Sequence, residues 1–198
     1  TDKELFRKAL ATWKKKKASD PYGESLAMME AAISLFPEAT TSNDFKSFAT
    51  QSFSDWIKEI GFIRDGAIQA IRRNLDDGNR IVFATTSYKE AGEALVDVLK
   101  MKKVISNEVS IDVTGTEVNW SIKKLDHFNM GDGKLEGVSR VLGMPLAQVK
   151  NNIEESFGDD PSGNDSGILK YGKKAFIVST KKNQNFEEAS LNDERLQW

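Results

Sequence analysis

Three short stretches of this chain carry residue types able to do chemistry. In FGDDPSGNDSGILKYG (157–172), Asp159, Asp160 and Asp165 sit in a loop of Gly, Ser, Asn and Pro that runs into a helical pattern. Carboxylates on one loop are ligands that magnesium prefers, because the ion takes oxygen donors and retains waters. The same residue types also build a type I turn in which an Asp caps a helix over 164–171, so the composition admits both readings. The second stretch is Thr85-Thr86-Ser87, directly after the apolar run IVFA. Its hydroxyls and the N–H groups of the helix start that follows could hold a phosphate, or Thr86 or Ser87 could cap a helix over 88–99. The third is Lys134, an ammonium that follows Gly131-Asp132-Gly133 in the first turn of a helical pattern. A single histidine, His127, and the lack of any cysteine argue against zinc and exclude thiolate chemistry and disulfides. His127 lies between polar and aromatic neighbours and reads as structural.

Hydrophobic periodicity predicts what holds these stretches. Before residue 60 there are three helical patterns: Leu5, Phe6, Ala9, Leu10 and Trp13; Leu26, Met29, Ile33 and Phe36; and Phe45, Phe48, Phe53, Trp56 and Ile57. Pro21 suits a helix start, Pro37 a helix stop, and Ser42 or Asn43 an N-cap. Phe45, Phe48, Phe53 and Trp56 are expected to be the core of this all-helical unit. After residue 60, helical and strand periods alternate. A helix through Ala67, Ile68, Ile71 and Leu75 ends at Asp77-Gly78, and RIVFATT (80–86) follows as a buried strand. A helix over about 88–99 leads to strand-like VISNEVSIDV (104–113), then to short helices at LEGVSRVLG and PLAQVKNN. IEESF (153–157) reads as a strand despite its adjacent charges, and KAFIVST (174–180) as another. This alternation predicts an α/β fold, a Rossmann-like and mainly parallel sheet flanked by helices behind an all-helical N-terminal unit. Ligands of such sheets bind beyond the carboxyl ends of the strands, which is where Thr85 and Asp159 stand.

Composition limits the partners. At 198 residues with 39% hydrophobic positions, the chain can bury one ordinary core. A formal net charge of −2 gives no general attraction to nucleic acid or to an anionic membrane. No apolar run approaches the roughly 18–20 residues of a membrane span, and the opening TDKELFRKALATW is amphipathic, unlike a signal peptide. The expectation is a cytoplasmic protein with neither nucleic acid nor membrane as partner. Nothing in the sequence sets an oligomeric state.

The order of the parts resembles a known family. IGFIRDGAIQAIRRNLDDGNRIVFATTS, the Lys in GDGKLEGVSRVLGMP, FGDDPSGNDSGIL, KKAFIVS and a tail ending ERLQW together resemble the haloacid dehalogenase-like hydrolases, phosphoserine phosphatase-like branch, over about residues 58–198. The resemblance implies a phosphoryl-binding hydroxyl at Thr85, with Thr86 beside it, and a charge-neutralising Lys at Lys134. It also implies a magnesium-orienting acidic loop at Asp159 and Asp165. The acidic pair is more widely spaced here than in the family, so Asp160 could stand in for Asp159, or Asn164 for Asp165. Residues 1–57 would correspond to the family's helical cap, and 58–198 to its α/β core.

The family's DxDx[TV] signature, whose first Asp attacks phosphorus, does not occur before residue 60. Asp112-Val113-Thr114-Gly115-Thr116 imitates it superficially, but after the hydroxyl motif. The resemblance places the signature strand centrally, between the strand ending near Thr85 and the strand ending near Asp159. The expectation is therefore a nucleophile-bearing strand upstream of Thr1. With it, the implied activity is magnesium-dependent hydrolysis of a small phosphomonoester through an aspartyl phosphate. The alternative is a non-catalytic relative that binds a phosphorylated ligand or partner.

Overall fold

The computed structural model describes residues 21–60, 65–161, 163–178 and 186–189. The expected helix through Leu5 and Trp13, residues 179–180 of the last expected strand and the ERLQW tail lie outside them. The elements are helices α1 (Pro21–Ile33), α2 (Ser42–Ile60) and α3 (Asp65–Asp76), strand β1 (Ile81–Tyr88), helix α4 (Lys89–Met101), strands β2 (Ile111–Asn119) and β3 (Lys124–His127), helices α5 (Asp132–Leu142) and α6 (Leu146–Asn152), strand β4 (Glu155–Gly158), helix α7 (Ser166–Tyr171), and strands β5 (Lys174–Val178) and β6 (Phe186–Ala189). The fold is mixed α/β, with small, mainly parallel sheets flanked by helices.

Those strands form two three-stranded sheets, ordered β1-β2-β3 and β4-β5-β6. β1 runs parallel to β2, Ile81 opposite Ile111 and Ala84 opposite Thr114. β4 runs parallel to β5, Glu155 opposite Lys174 and Gly158 opposite Ile177. β3 and β6 add antiparallel outer strands. Successive side chains of a strand point to opposite faces, and β1 obeys this. Phe83 packs with Ile68 and Ile71 of α3 and Val96 of α4, whereas Val82 and Ala84 pack with Leu135 and Val138 of α5 and Val149 of α6. Helices therefore cover both faces of the parallel pair, the arrangement that such pairs need.

The two sheets are held at both ends. At the start of β4, Glu155 accepts hydrogen bonds from Arg73 (2.5 Å) and Asn74 (2.7 Å) at the end of α3, the helix that feeds β1. At the far end, the loop after β4 is joined to the first turn of α5 by the Lys134–Asp165 ion pair. β1 and β4 consequently point the same way, with their starts at α3 and their ends at the start of α5. Among the described residues each is paired on one side only. α3 packs on one face of β1 and bonds to the start of β4, while α5 packs on the other face of β1 and against α7.

Several local expectations are corrected. The segment 104–110 is turn, and β2 begins at Ile111 and runs through Thr114-Gly115-Thr116. β4 excludes Glu154, which pairs with Lys173, and keeps Glu155, which Arg73 and Asn74 satisfy. That removes the objection to charges in a strand. α2 is capped by a reciprocal pair one position earlier than expected: the Thr41 hydroxyl accepts from the Asp44 N–H (3.2 Å), and the Asp44 carboxylate accepts from the Thr41 N–H (2.9 Å). Phe48 and Trp56 are 62% and 49% exposed, so they are not the helical core. Its core is shared instead: Met29, Ile33 and Phe45 pack with Tyr88, Ala91 and Ala94 at β1–α4 and with Trp120 at the β2–β3 turn. Phe45 stacks on Trp120 at 5.0 Å, and the Tyr88 hydroxyl donates to the Met29 carbonyl at 2.7 Å.

α5 lies close against β2 because Gly137 faces it. A Cβ there would come 2.5 Å from Asn129 Oδ1 and closer still to the Thr114 hydroxyl. Gly137→Ala is expected to lower stability by about 1–3 kcal/mol through overpacking, read as a drop in urea midpoint without a change in m-value.

Candidate functional site

Lys134 is 4% exposed and Asp165 is 6% exposed, and they form a buried ion pair. α5 starts at Asp132 after Gly131, whose φ of +54° turns the chain in a conformation glycine adopts without strain. Gly131 N–H donates to the Asn164 carbonyl at 3.1 Å, fixing the acidic loop against the helix start. From there, Leu135 turns into the apolar core while Lys134 turns toward Asp165.

Asp165 organises its loop with both oxygens. Oδ1 takes the Lys134 ammonium, and Oδ2 accepts the backbone N–H groups of Asp159 (2.8 Å) and Asp160 (3.2 Å). Burial pushes its carboxyl up, but Lys134 and those two N–H groups outweigh that effect and hold it below the ordinary Asp value. Asp160 is also used internally: Oδ2 accepts from Asn164 N–H at 2.9 Å and its carbonyl from Asp165 N–H at 3.0 Å. The expected turn is thus present, although Asp165 reaches back to 159 and 160 and makes no side-chain cap on α7. Asp159 is the exposed member. Its carboxyl is pushed above the ordinary value by burial first, then by the hydrogen bond and charge of Asp165 and the charge of Asp160.

Among the described residues no group of three or more His, Asp or Glu side chains is gathered as a metal site. Magnesium needs less than that, since it is commonly bound by one or two carboxylates with substrate phosphate oxygens and water. Asp159 suits this role: it is the exposed carboxylate of the loop, and the neighbouring charges of Asp165 and Asp160 are what a cation would relieve.

Thr85 and Thr86 end the regular part of β1. The Thr85 hydroxyl accepts from Ser87 N–H at 3.1 Å, and its carbonyl accepts from Asn129 Nδ2 at 2.7 Å. The Thr86 carbonyl accepts from the Thr116 hydroxyl at 2.6 Å, while its own hydroxyl is buried with no hydrogen-bond partner among the described residues. Neither Thr86 nor Ser87 caps α4, whose N-cap position is Tyr88 with no side-chain bond. Asn129 was not apparent from the sequence. It is fully buried and joins Thr85 to the loop that leads into Lys134. The available signal was a lone amide between Phe128 and Met130, ahead of a glycine turn. The fold therefore links all six residues, Thr85 and Thr86 through Asn129, and Lys134 directly to the 159–165 loop.

Two other residues stand apart. Asp112, at the start of β2, pairs with Arg80 at 2.7 Å, at the opposite end of the sheet from Thr85. His127 Nε2 lies 3.1 Å from the Gly133 carbonyl, a structural contact. No family model matches the chain, and no curated protein or solved structure is significantly similar to it. No helix among the described residues is long and apolar enough to cross a membrane.

Removing one partner of a buried ion pair strands the other. Lys134→Met is expected to cost about 3–5 kcal/mol, and Lys134→Met with Asp165→Asn much less, as measured by denaturant unfolding. The pH dependence follows from the depressed Asp165 carboxyl. Its contribution is present above the unfolded-state value of about 3.9 and is lost as pH falls through the lower folded value. The stability gap between wild type and Asp165→Asn should therefore be constant from neutral pH down to about pH 5 and shrink below pH 4.

Proposed function

We propose that this chain is the core of a magnesium-dependent phosphomonoester hydrolase that works through an aspartyl phosphate. The nucleophilic Asp would be carried on a strand outside the described residues, paired with both β1 and β4. The observation that supports this reading is the buried Lys134–Asp165 pair, which joins the loop after β4 to the start of α5, the segment before which is tied to the end of β1 by Asn129. The free strand edges support it too: they run in one direction, and Asp159, Lys134 and Thr85 stand where they end.

The chemistry assigned to these residues is mainly positioning and charge. The Lys134 ammonium has three donors; Asp165 takes one and holds the group in place, and the others would meet phosphoryl oxygens. Thr85 would donate its hydroxyl to a phosphoryl oxygen while its carbonyl stays anchored. Pre-oriented donors of this kind gain most where charge spreads in the transition state. Magnesium bound at Asp159 would add neutralisation of the phosphoryl oxygens. Helices α1 and α2 would cover the substrate as a cap, selecting a small leaving group.

A second reading is a phosphate-binding relative without turnover. One observation favours it: both Asp165 oxygens are committed to the fold, and Asp159 is the one exposed carboxylate of the loop. The two readings share the pocket and differ in the nucleophile. An apolar run ending in Asp-x-Asp in the coding sequence ahead of Thr1 supports the enzyme.

For the enzyme, hydrolysis of an aryl phosphate should require magnesium, and Thr85→Val or Asp159→Asn should lower kcat/KM by about 100-fold or more. Phosphate-dependent thermal stabilisation without turnover would instead establish the binder, and neither response would end both readings.

A further inference from the structure

We infer that Asn129 is a positioning residue for the phosphoryl pocket, fixing Thr85 relative to Lys134; this rests on the reading of that pocket given above. Asn129 has no exposed surface, and its carboxamide is held on both sides. Nδ2 donates to the Thr85 carbonyl at 2.7 Å, and Oδ1 lies 3.4 Å from the Thr114 hydroxyl. Its backbone N–H donates to the Thr116 hydroxyl at 3.3 Å, and that hydroxyl donates to the Thr86 carbonyl at 2.6 Å. One residue thus ties consecutive carbonyls at the end of β1, one directly and one through Thr116, to the segment Met130–Gly133 that launches α5.

This tie occurs where β1 is least regular. Pairing of β1 with β2 shifts between Ala84 and Tyr88, so the sheet ladder does not set the orientation of Thr85 and Thr86. Asn129 and Thr116 replace it with side-chain bonds. A carboxamide is required because the partner at Thr85 is a carbonyl, which accepts only, while the partner at Thr114 is a hydroxyl able to donate. Gly137 of α5 lies directly against this carboxamide, since a Cβ there would come 2.5 Å from Asn129 Oδ1. Lys134 follows five positions later on the same segment, so a shift of Asn129 moves Thr85 and Lys134 apart.

The experiment is a double-mutant cycle on the full chain, with inorganic phosphate as the probe in the presence of Mg²⁺. Asn129→Ala and the isosteric Asn129→Asp are each combined with Thr85→Val, and phosphate dissociation constants and melting temperatures are recorded. Asn129→Asp is included because Asn129→Ala leaves a buried cavity and a lost fold would say nothing. In the Thr85 background, either change should weaken phosphate binding about tenfold, the cost of a lost oriented hydrogen bond. With Thr85→Val already present, it should weaken binding less than twofold, although the melting temperature falls equally in both backgrounds. A purely structural Asn129 would lower the melting temperature alike and weaken phosphate binding by the same factor in both, or not at all, and that result overturns the inference. If Thr85→Val and the Lys134→Met, Asp165→Asn pair themselves leave phosphate binding unchanged, the pocket reading fails and takes this inference with it.

Discussion

The Lys134–Asp165 ion pair is the constraint on which the rest of the structure depends. Two charges out of water are costly, and a well-packed apolar pair of similar volume would commonly be at least as stable. What the pair provides is location. Asp165 uses its second oxygen to collect the N–H groups of Asp159 and Asp160, so one carboxylate sets the conformation of the loop after β4 and its distance from α5. Because α5 also packs on Val82 and Ala84 of β1, the two sheets share one end. An apolar contact could slide or repack, whereas this one has a direction and two distinct oxygens.

The opposite end is fixed by a weaker version of the same device. Glu155 is held by Arg73 and Asn74; burial raises its carboxyl, and those two hydrogen bonds more than offset this, leaving it below the ordinary value. Among the described residues β1 and β4 each keep one edge without a strand partner. Buried backbone groups without partners cost about 1–3 kcal/mol each, so a strand that paired with both edges would satisfy two rows of N–H and C=O groups at once.

Much of this was legible in the sequence, and the limits have physical causes. The helix through Ile68 and Ile71 and the strand IVFA were readable because apolar spacing reports burial directly. β2 was displaced by several residues because Val104, Ile105 and Val109 look strand-like, although Val104 and Ile105 pack beneath α3 and α4 from a turn. Phe48 and Trp56 misled for the opposite reason: aromatic residues at helical spacing need a partner surface, and the core of α1 and α2 was taken by Tyr88 and Trp120 from elsewhere in the chain. At the candidate site, residue types singled out Thr85, Lys134 and the three aspartates. They could not mark the differences among those aspartates, because a carboxylate that orders a loop and one left exposed are the same residue in sequence. Asn129 was invisible for a similar reason, its role being set by a carbonyl 44 residues away.

In the proposed function, Thr85, Lys134 and Asp159 face one pocket built for a phosphoryl group. The most direct measurement is a crystal structure of the chain soaked with tungstate, a phosphate mimic whose anomalous scattering locates it without ambiguity. The predicted result is a single strong peak within hydrogen-bond distance of the Thr85 hydroxyl and the Lys134 ammonium, with Asp159 alongside. A structure in which those side chains lie on separate faces, or in which tungstate binds elsewhere and leaves that place empty, would contradict it.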